Sequence, residues 1–563
     1  VPAPPSRSAA AAQRGPARRR DAGGLSLAAL TFMKDRTIAN DSGATRSIWM
    51  AEHVPSFDAE IAEDGEPEVC VIGAGIAGLS VALALARDGV DVLVLERGPI
   101  GGGQSARTSA HLASALDDYF HVLEQRFGKK GARLCYESHA AAIDEIEQNV
   151  RRYRIDCDFQ RVDGFLWAAD PRDRDMLGKE LAAARRAGLD VERVPRAPLP
   201  FDTGPCLRFA NQAEFHPVKY LRGIANAAAA AGARIHTGVH VVDVKSGNPV
   251  EITLEGGRKL RANAVVDATQ MAITSRYDMP LREAAYRTYV VTLDVAPGYV
   301  PHGLYWDSLD PYHYVRVAAG HDGGEHLIVG GEDHRVGHGE ELLHLQQLED
   351  WARTHFRDAG PIVSTWSGQI QEPADGMAYI GALPGHSNVY VVSGDSGNGL
   401  THGTIAGLLL PALIEHRHHP WKSLYDPDRS RLRGFVELAK EAVRSNAPYL
   451  DWMRGGSVAS LDQILPGHGA TIRKGLHVIA AYKDEHGNCH LRNARCPHLS
   501  GVVHWNAVEK TWDCPVHGSR FDAHGRVLNG PSAVDLGEAP EDIEAPTRIP
   551  SAIPEEAYPL RPA

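Results

Sequence analysis

Two short cysteine–histidine knuckles near the C-terminal end constrain this chain more than any other feature: Cys496-Pro497-His498 and Cys514-Pro515-Val516-His517, with residues 499–513 between them. Side chains so arranged act together only if a small domain brings two loop tips face to face, each giving one sulfur and one nitrogen. The spacing predicts a 2Fe-2S cluster in which Cys496 and Cys514 hold one iron and His498 and His517 the other. The alternative is a zinc knuckle. Structural zinc ligands, however, are usually paired as Cys-x2-4-Cys or His-x3-5-His, and a Cys-x-His first knuckle departs from that habit.

A second signature lies toward the other end. The β-branched run Val69-Cys70-Val71-Ile72 leads into Gly73-Ala74-Gly75-Ile76-Ala77-Gly78, which opens an amphipathic helix closed by Gly89. Val92 to Leu95 then reads as a second strand, with Glu96 at its end. Strand, glycine turn, helix, strand and acid make a dinucleotide fingerprint. Gly73, Gly75, Ala77 and Gly78 let the backbone approach a pyrophosphate at a helix N-terminus, and Glu96 is placed for a ribose hydroxyl. No second Gly-x-Gly-x-x-Gly follows a strand elsewhere in the sequence.

A chain of 563 residues is too long for one core. Its net charge of −12 argues against a nucleic-acid partner. The longest apolar run, within Ile405 to Ile414, is about half a membrane span and contains Pro411, so no membrane span is expected. The cysteines other than Cys496 and Cys514 form no paired framework, which points to a reducing compartment, the cytoplasm. Residues 1–45, rich in Ala, Arg, Pro and Ser, read as a disordered leader or upstream extension. They include Met33, a candidate start, and Arg18-Arg19-Arg20, which resembles a twin-arginine export signal without a clear cleavage site. Residues 419–457 read as a linker with a helix over Arg431 to Val443, and 458–563 as a β-rich domain.

Both signatures sit in longer stretches that resemble known families. Leu499-Ser500-Gly501, Gly518-Ser519-Arg520-Phe521 and Asn529-Gly530-Pro531 are similar to Rieske domains. Respiratory and photosynthetic Rieske proteins carry an extra cysteine in each loop and a tyrosine after the serine; here those places hold Gly501, Val516 and Phe521. Fewer donors to the cluster sulfurs imply a potential low in the Rieske range and an external one-electron acceptor of ferredoxin type. Arg97, Gly101-Gly102-Gly103, Val265 to Thr269 and Ser393 to Gly403 resemble flavoproteins of the D-amino-acid oxidase and glycine oxidase superfamily, within it bacterial FAD-dependent oxidoreductases that end in a Rieske domain.

That resemblance implies an α/β FAD-binding Rossmann-type domain over 46–418 with an inserted α+β substrate domain, followed by a small all-β Rieske domain. The FAD-binding pieces would be about 65–125, 205–285 and 365–415, and the substrate domain about 126–204 and 286–364. It adds Arg97, Gly102, Thr269, Gly394, Gly399, Leu400 and Thr401 to the FAD contacts. For a small-molecule donor it suggests Arg316 to grip a carboxylate and Tyr314, two residues away on the same strand face, to hydrogen-bond it. Where many relatives show Gly-Leu-Arg-Pro, this chain has Gly368-Gln369-Ile370-Gln371, and a neutral glutamine such as Gln369 cannot pair with a carboxylate as arginine does, which favours an amine or an uncharged donor. The expected activity is a dehydrogenase that oxidises a small amine or amino-acid-like donor through FAD and passes electrons singly through the cluster. An NAD(P)H-dependent reductase feeding another enzyme and a non-catalytic redox sensor are the alternatives.

Overall fold

The computed structural model describes residues 36–37, 42–57, 61, 66–275, 279–320, 323–429, 452 and 456–540. Met33, the arginine run before it and the expected helix over 431–443 lie outside the described residues.

A six-stranded sheet carries the glycine turn. Its order is Tyr379–Ala382, Val389–Ser393, Ala264–Gln270, Val69–Ile72, Val92–Glu96 and Arg234–Thr237, parallel except for the first strand. Every residue of Val69–Ile72 is buried because both faces of the sheet are covered, which is why the strand reads as an unbroken apolar run. Helices Ile76–Arg87 and Gly399–Ile414 pack on one face. A three-stranded antiparallel sheet, Val241–Lys245, Val250–Leu254 and Lys259–Ala262, covers the other through Cys70, Ile72, Leu93 and Leu95.

Beside it stands a nine-stranded mixed sheet in which Glu283–Val295 pairs with Ile362–Pro373 and Glu325–Arg335, and Glu325–Arg335 with His313–Ala319. Cys206–Glu214 and Ile362–Pro373 belong to this sheet, so the division of 205–285 and 365–415 expected from the sequence shifts at both places. The long helix Phe120–Tyr153 breaks at Gly128 and packs on the first layer.

The C-terminal domain is two small antiparallel sheets, His468–Lys474 with His477–Lys483 and Cys489–Asn493, and His504–Asn506 with Thr511–Asp513, Arg520–Asp522 and Val527–Asn529. Trp512 and Phe521 fill its core.

Two expectations about the connecting segments are corrected. Arg36–Thr37 pairs with His53–Val54, and Ser42 to Thr45 lies between the flavin domain and the small C-terminal domain, where Ala44 N–H donates to Glu509 O at 2.8 Å. The disordered leader therefore cannot extend to residue 45. Likewise 419–429 is no free linker: Tyr425 is fully buried, and Arg429 pairs with Asp375 at 2.9 Å over the Tyr379 ring.

Candidate functional site

A cavity of about 310 Å3 runs along the C-terminal ends of the parallel strands, where open α/β sheets bind ligands. Gly73, Gly75, Ala77, Glu96, Arg97, Gly102, Thr269, Gly394, Gly399 and Leu400 all line it. Glu96 Oε2 accepts from Ala74 N–H at 2.6 Å and Oε1 from Gly98 N–H at 2.8 Å, which fixes the acid beside the glycine turn. Gly78 works from behind. A Cβ there would lie 1.8 Å from Gly73 O, so only glycine lets the helix sit this close to the strand. Gly78→Ala is expected to push the helix off at about 1–3 kcal/mol. The purified variant should lose most of its bound-flavin absorbance, and full retention would refute this account of the turn.

Other expectations are met differently. Thr401 does not line the cavity; its hydroxyl donates to Asn398 O and pairs with His139 Nδ1 at 2.8 Å. Arg316 is also absent from the wall. Its guanidinium donates to Ala110 O at 2.7 Å and Phe215 O at 3.2 Å and faces Glu214 at 3.4 Å, so it serves as a buried structural cation. Tyr314 does line the cavity, its hydroxyl 2.8 Å from Thr288 Oγ1. Gln369 contributes to the wall, but its side chain turns to the C-terminal domain: Nε2 donates to Gly518 O at 3.0 Å, and Oε1 accepts from Arg287 at 3.4 Å.

At the knuckles, the two backbone turns close in the same way. Cys496 N–H donates to Gly501 O and Ser500 N–H to Cys496 O; Cys514 N–H donates to Ser519 O and Gly518 N–H to Cys514 O. The two thiols come within hydrogen-bonding range, and Ser519 reaches Cys496. The His498 and His517 rings stand 5.0 Å apart at 79°, and both nitrogens of His517 are buried without a partner. Among the described residues no three such donors converge on one point, as a mononuclear zinc site would require. Paired thiols beside paired imidazoles fit a two-iron cluster instead.

The cavity and the knuckles belong to one assembly. Leu528, Asn529, Gly530, Ser532 and Ala533 of the C-terminal domain form part of the cavity wall. Arg97 donates to Val527 O and Leu528 O, and Ser42 Oγ to Asn529 Oδ1 at 2.9 Å. Behind this contact lies a buried charge cluster. Arg107 pairs with Glu509 at 3.0 Å, Arg520 with Asp513 at 3.2 Å, and Arg287 lies 3.8 Å from Asp513, each side chain no more than 1% exposed. Sequence reading missed these partners and the acids Asp117 and Asp333 in the cavity wall.

Several buried carboxyls are pushed upward by burial: Asp117 and Asp333 to about 7, Glu283 to about 8, Asp395 to about 6. The folded protein keeps these protons after the unfolded chain has released them near pH 4, so folding stability falls as pH rises from about 4 toward 8. Glu509 acts in the opposite sense. Burial alone would raise it, but Arg107, Arg520 and Arg287 hold it at about 2, so its contribution is present above about pH 4.5 and lost toward pH 2. The buried histidines His111, His216, His334 and His402, held at about 3 to 4 by burial, act in the opposite sense to the raised carboxyls below about pH 6.5, so those carboxyls act alone only above it. Flavin-free protein is expected to melt lower at pH 8 than at pH 6.5, and a melting temperature that climbs over that range would contradict this.

The described residues contain no helix long and apolar enough to cross a membrane. Residues 68–413 match the model of the family described as FAD dependent oxidoreductase, and residues 454–540 that of the Rieske [2Fe-2S] domain. The chain is 29% identical to the putative Rieske 2Fe-2S iron-sulfur protein YhfW of Bacillus subtilis, over 86% of this chain and 95% of that one. It is 25% identical to gamma-glutamylputrescine oxidoreductase of Escherichia coli, over 65% of this chain and 90% of that one. Among solved structures, glycine oxidase from Geobacillus kaustophilus superposes with a TM-score of 0.55 at 20% identity, covering 65% of this chain and 99% of that one. With the family model spanning most of its length, the chain belongs to the FAD dependent oxidoreductase family and carries a Rieske [2Fe-2S] domain after the flavin fold.

Proposed function

We propose that the protein is a dehydrogenase that oxidises a small amine or amino-acid-like donor and delivers the electrons to an external one-electron acceptor. The observation that carries this reading is the shared wall: the loop Leu528 to Ala533 of the Rieske domain closes the cavity that the dinucleotide fingerprint opens. Gln369, in that wall, bonds to Gly518, the residue after His517. FAD held there would supply hydride acceptance and the cluster one-electron transfer, which would join a two-electron donor to a one-electron acceptor.

The chain's own groups supply the rest. Gly73, Gly75, Glu96 and the start of the helix Gly399–Ile414 would hold the flavin nucleotide, and Cys496, His498, Cys514 and His517 the cluster. The Rieske loop excludes water from the cavity on one side. Tyr314, anchored on Thr288, and Tyr312, whose hydroxyl donates to Asp117 at 3.1 Å, give the donor a fixed aromatic wall. The likeness to gamma-glutamylputrescine oxidoreductase agrees with a donor oxidised at a carbon bearing nitrogen.

Anaerobic mixing of the holoprotein with amines, amino acids, NADH and NADPH tests the reading, with flavin and cluster absorbance followed together. Bleaching of the flavin by an amine or amino acid, then of the cluster, is the expected result. Bleaching by NADH or NADPH alone would overturn it and make the protein a reductase.

A further inference from the structure

The cavity wall has an unusual charge for a site expected to receive amino-acid-like donors. Of its four acidic lining residues, Glu96 and Asp395 accept from backbone N–H groups, and Asp117 and Asp333 line it together with Trp306, Tyr312 and Tyr314. They come from separate elements. Asp117 follows the short strand His111–Leu112, Asp333 stands near the end of Glu325–Arg335, and Tyr312 and Tyr314 flank the start of His313–Ala319. The two tyrosine rings lie 5.5 Å apart. A Cβ on Gly330 would fall 2.0 Å from the Tyr314 ring, so this glycine leaves the space in which the tyrosine lies.

The acids are not part of a salt-bridge network. Asp117 Oδ2 accepts from Tyr312 at 3.1 Å, and Asp333 is hydrogen-bonded by the Thr288 side chain while its Oδ1 is buried without a hydrogen-bond partner. Burial is the main cause that raises Asp117, against the Tyr312 hydrogen bond, and the fields of Asp118 and Asp333 add to it. The arginines in the cavity wall are Arg97 and Arg107. Arg97 is spent on the carbonyls of Val527 and Leu528, and Arg107 on Glu509, Ser367 O and Thr45 O. No lysine lines the wall. A donor carboxylate would therefore meet two acids that burial already keeps protonated up to about pH 7, and no available cation, whereas an organic cation would favour the ionised form of both acids and lie beside aromatic side chains.

We infer that the donor is an organic cation, an amine without a carboxylate beside its nitrogen, held between Asp117 and Asp333 against Tyr312, Tyr314 and Trp306. This rests on the reading of the cavity as the place where the donor is oxidised. Asp333 supplies the unpaired acceptor, Asp117 the second charge, and the rings a surface that favours alkylated nitrogen over water.

Two redox-inert probes of similar size separate the possibilities: benzyltrimethylammonium and benzoate, each titrated into holoprotein and followed by calorimetry and by the change in flavin absorbance. The cation should bind and benzoate should not, and Asp333→Asn should weaken the cation at least tenfold with FAD content unchanged. Asp117→Asn, which keeps an acceptor for Tyr312, should weaken it in the same direction and serves if the first variant loses flavin. Tighter binding of benzoate, or cation binding unaltered in both variants, would overturn the inference. The oxidation reading fails separately. If the cation binds as expected but no amine bleaches the flavin, the site still takes a cation and the dehydrogenase assignment falls. If benzoate binds and amino acids bleach the flavin, the assignment stands and the cationic donor falls.

Discussion

Glu509→Ala is expected to loosen the Rieske domain from the flavin domain and to lower the melting temperature by on the order of 10 °C. Glu509 is fully buried and accepts from Arg107 at 3.0 Å, Thr45 N–H at 3.1 Å and the hydroxyls of Thr45 and Ser367. These partners belong to the flavin domain and to the 42–45 segment, so one carboxylate ties three parts of the chain together. Its removal leaves Arg107 buried and uncompensated, with Arg287 and Arg520 nearby. Breaking one side of a buried ion pair costs about 3–5 kcal/mol, a large share of the roughly 5–15 kcal/mol that holds a typical domain folded. At about 2–4 °C per kcal/mol for a large domain, that gives the stated shift. Glu509→Gln keeps shape and acceptor but not charge and should fall between. Because Leu528 to Ala533 closes the cavity, both variants should also release FAD more readily, in the same order. A melting temperature for the alanine variant within about 2 °C of the parent would mean the charge cluster does not hold the domains together.

The two cofactor signatures were legible in the sequence because each is local. The fingerprint occupies one strand, one turn and one helix, and each knuckle only a few residues, so spacing alone carries most of the geometry. The substrate side was read less well, and the reasons are specific. Strand alternation puts Tyr314 and Arg316 on one face, but two residues also separate them by about 6.6 Å along the strand. That distance takes Arg316 out of the cavity and onto the carbonyls of Ala110 and Phe215. For Gln369 the backbone was placed well and the side chain was not. It lies opposite Arg287 in the antiparallel ladder and reaches across to Gly518, a neighbour that no local pattern reveals. Thr401 sits in the first turn of its helix but on the side facing His139.

The charge cluster is the extreme case of this limit. Arg107, Arg287 and the stretch that holds Glu509, Asp513 and Arg520 are each about two hundred residues apart, and each charge reads in isolation as an ordinary surface charge. Only packing shows that they are buried together and that Ser42 to Thr45, which has the composition of a leader, completes the set. Asp333 stands within Gly330-Gly331-Glu332-Asp333-His334, and a signal was present there: two acids after two glycines that interrupt an apolar strand. It could not be assigned to the cavity until Tyr314 was seen lying over Gly330.

Cys514→Ser should remove the cluster and, through the shared wall, weaken flavin retention as well. Cys514 and His517 are 2% and 3% exposed, so loss of the metal leaves a thiol and imidazoles buried with nothing to bind. His517 already lacks a protein partner on either ring nitrogen. The free energy of metal binding is in such sites also folding free energy, so the small domain should lose several kcal/mol of support. The disturbance has a defined route to the flavin side. Ser519 Oγ accepts from Ser532 N–H at 3.0 Å, which fixes the loop forming the cavity wall, and Gly518 O holds Gln369. The variant is therefore expected to show no cluster absorbance or paramagnetic signal on reduction, a melting temperature lower by several degrees, and less than half the parent's FAD per chain. A variant without cluster but with a full complement of FAD would mean that the flavin site stands without support from the Rieske domain, and the coupling between the two cofactor sites would have to be abandoned.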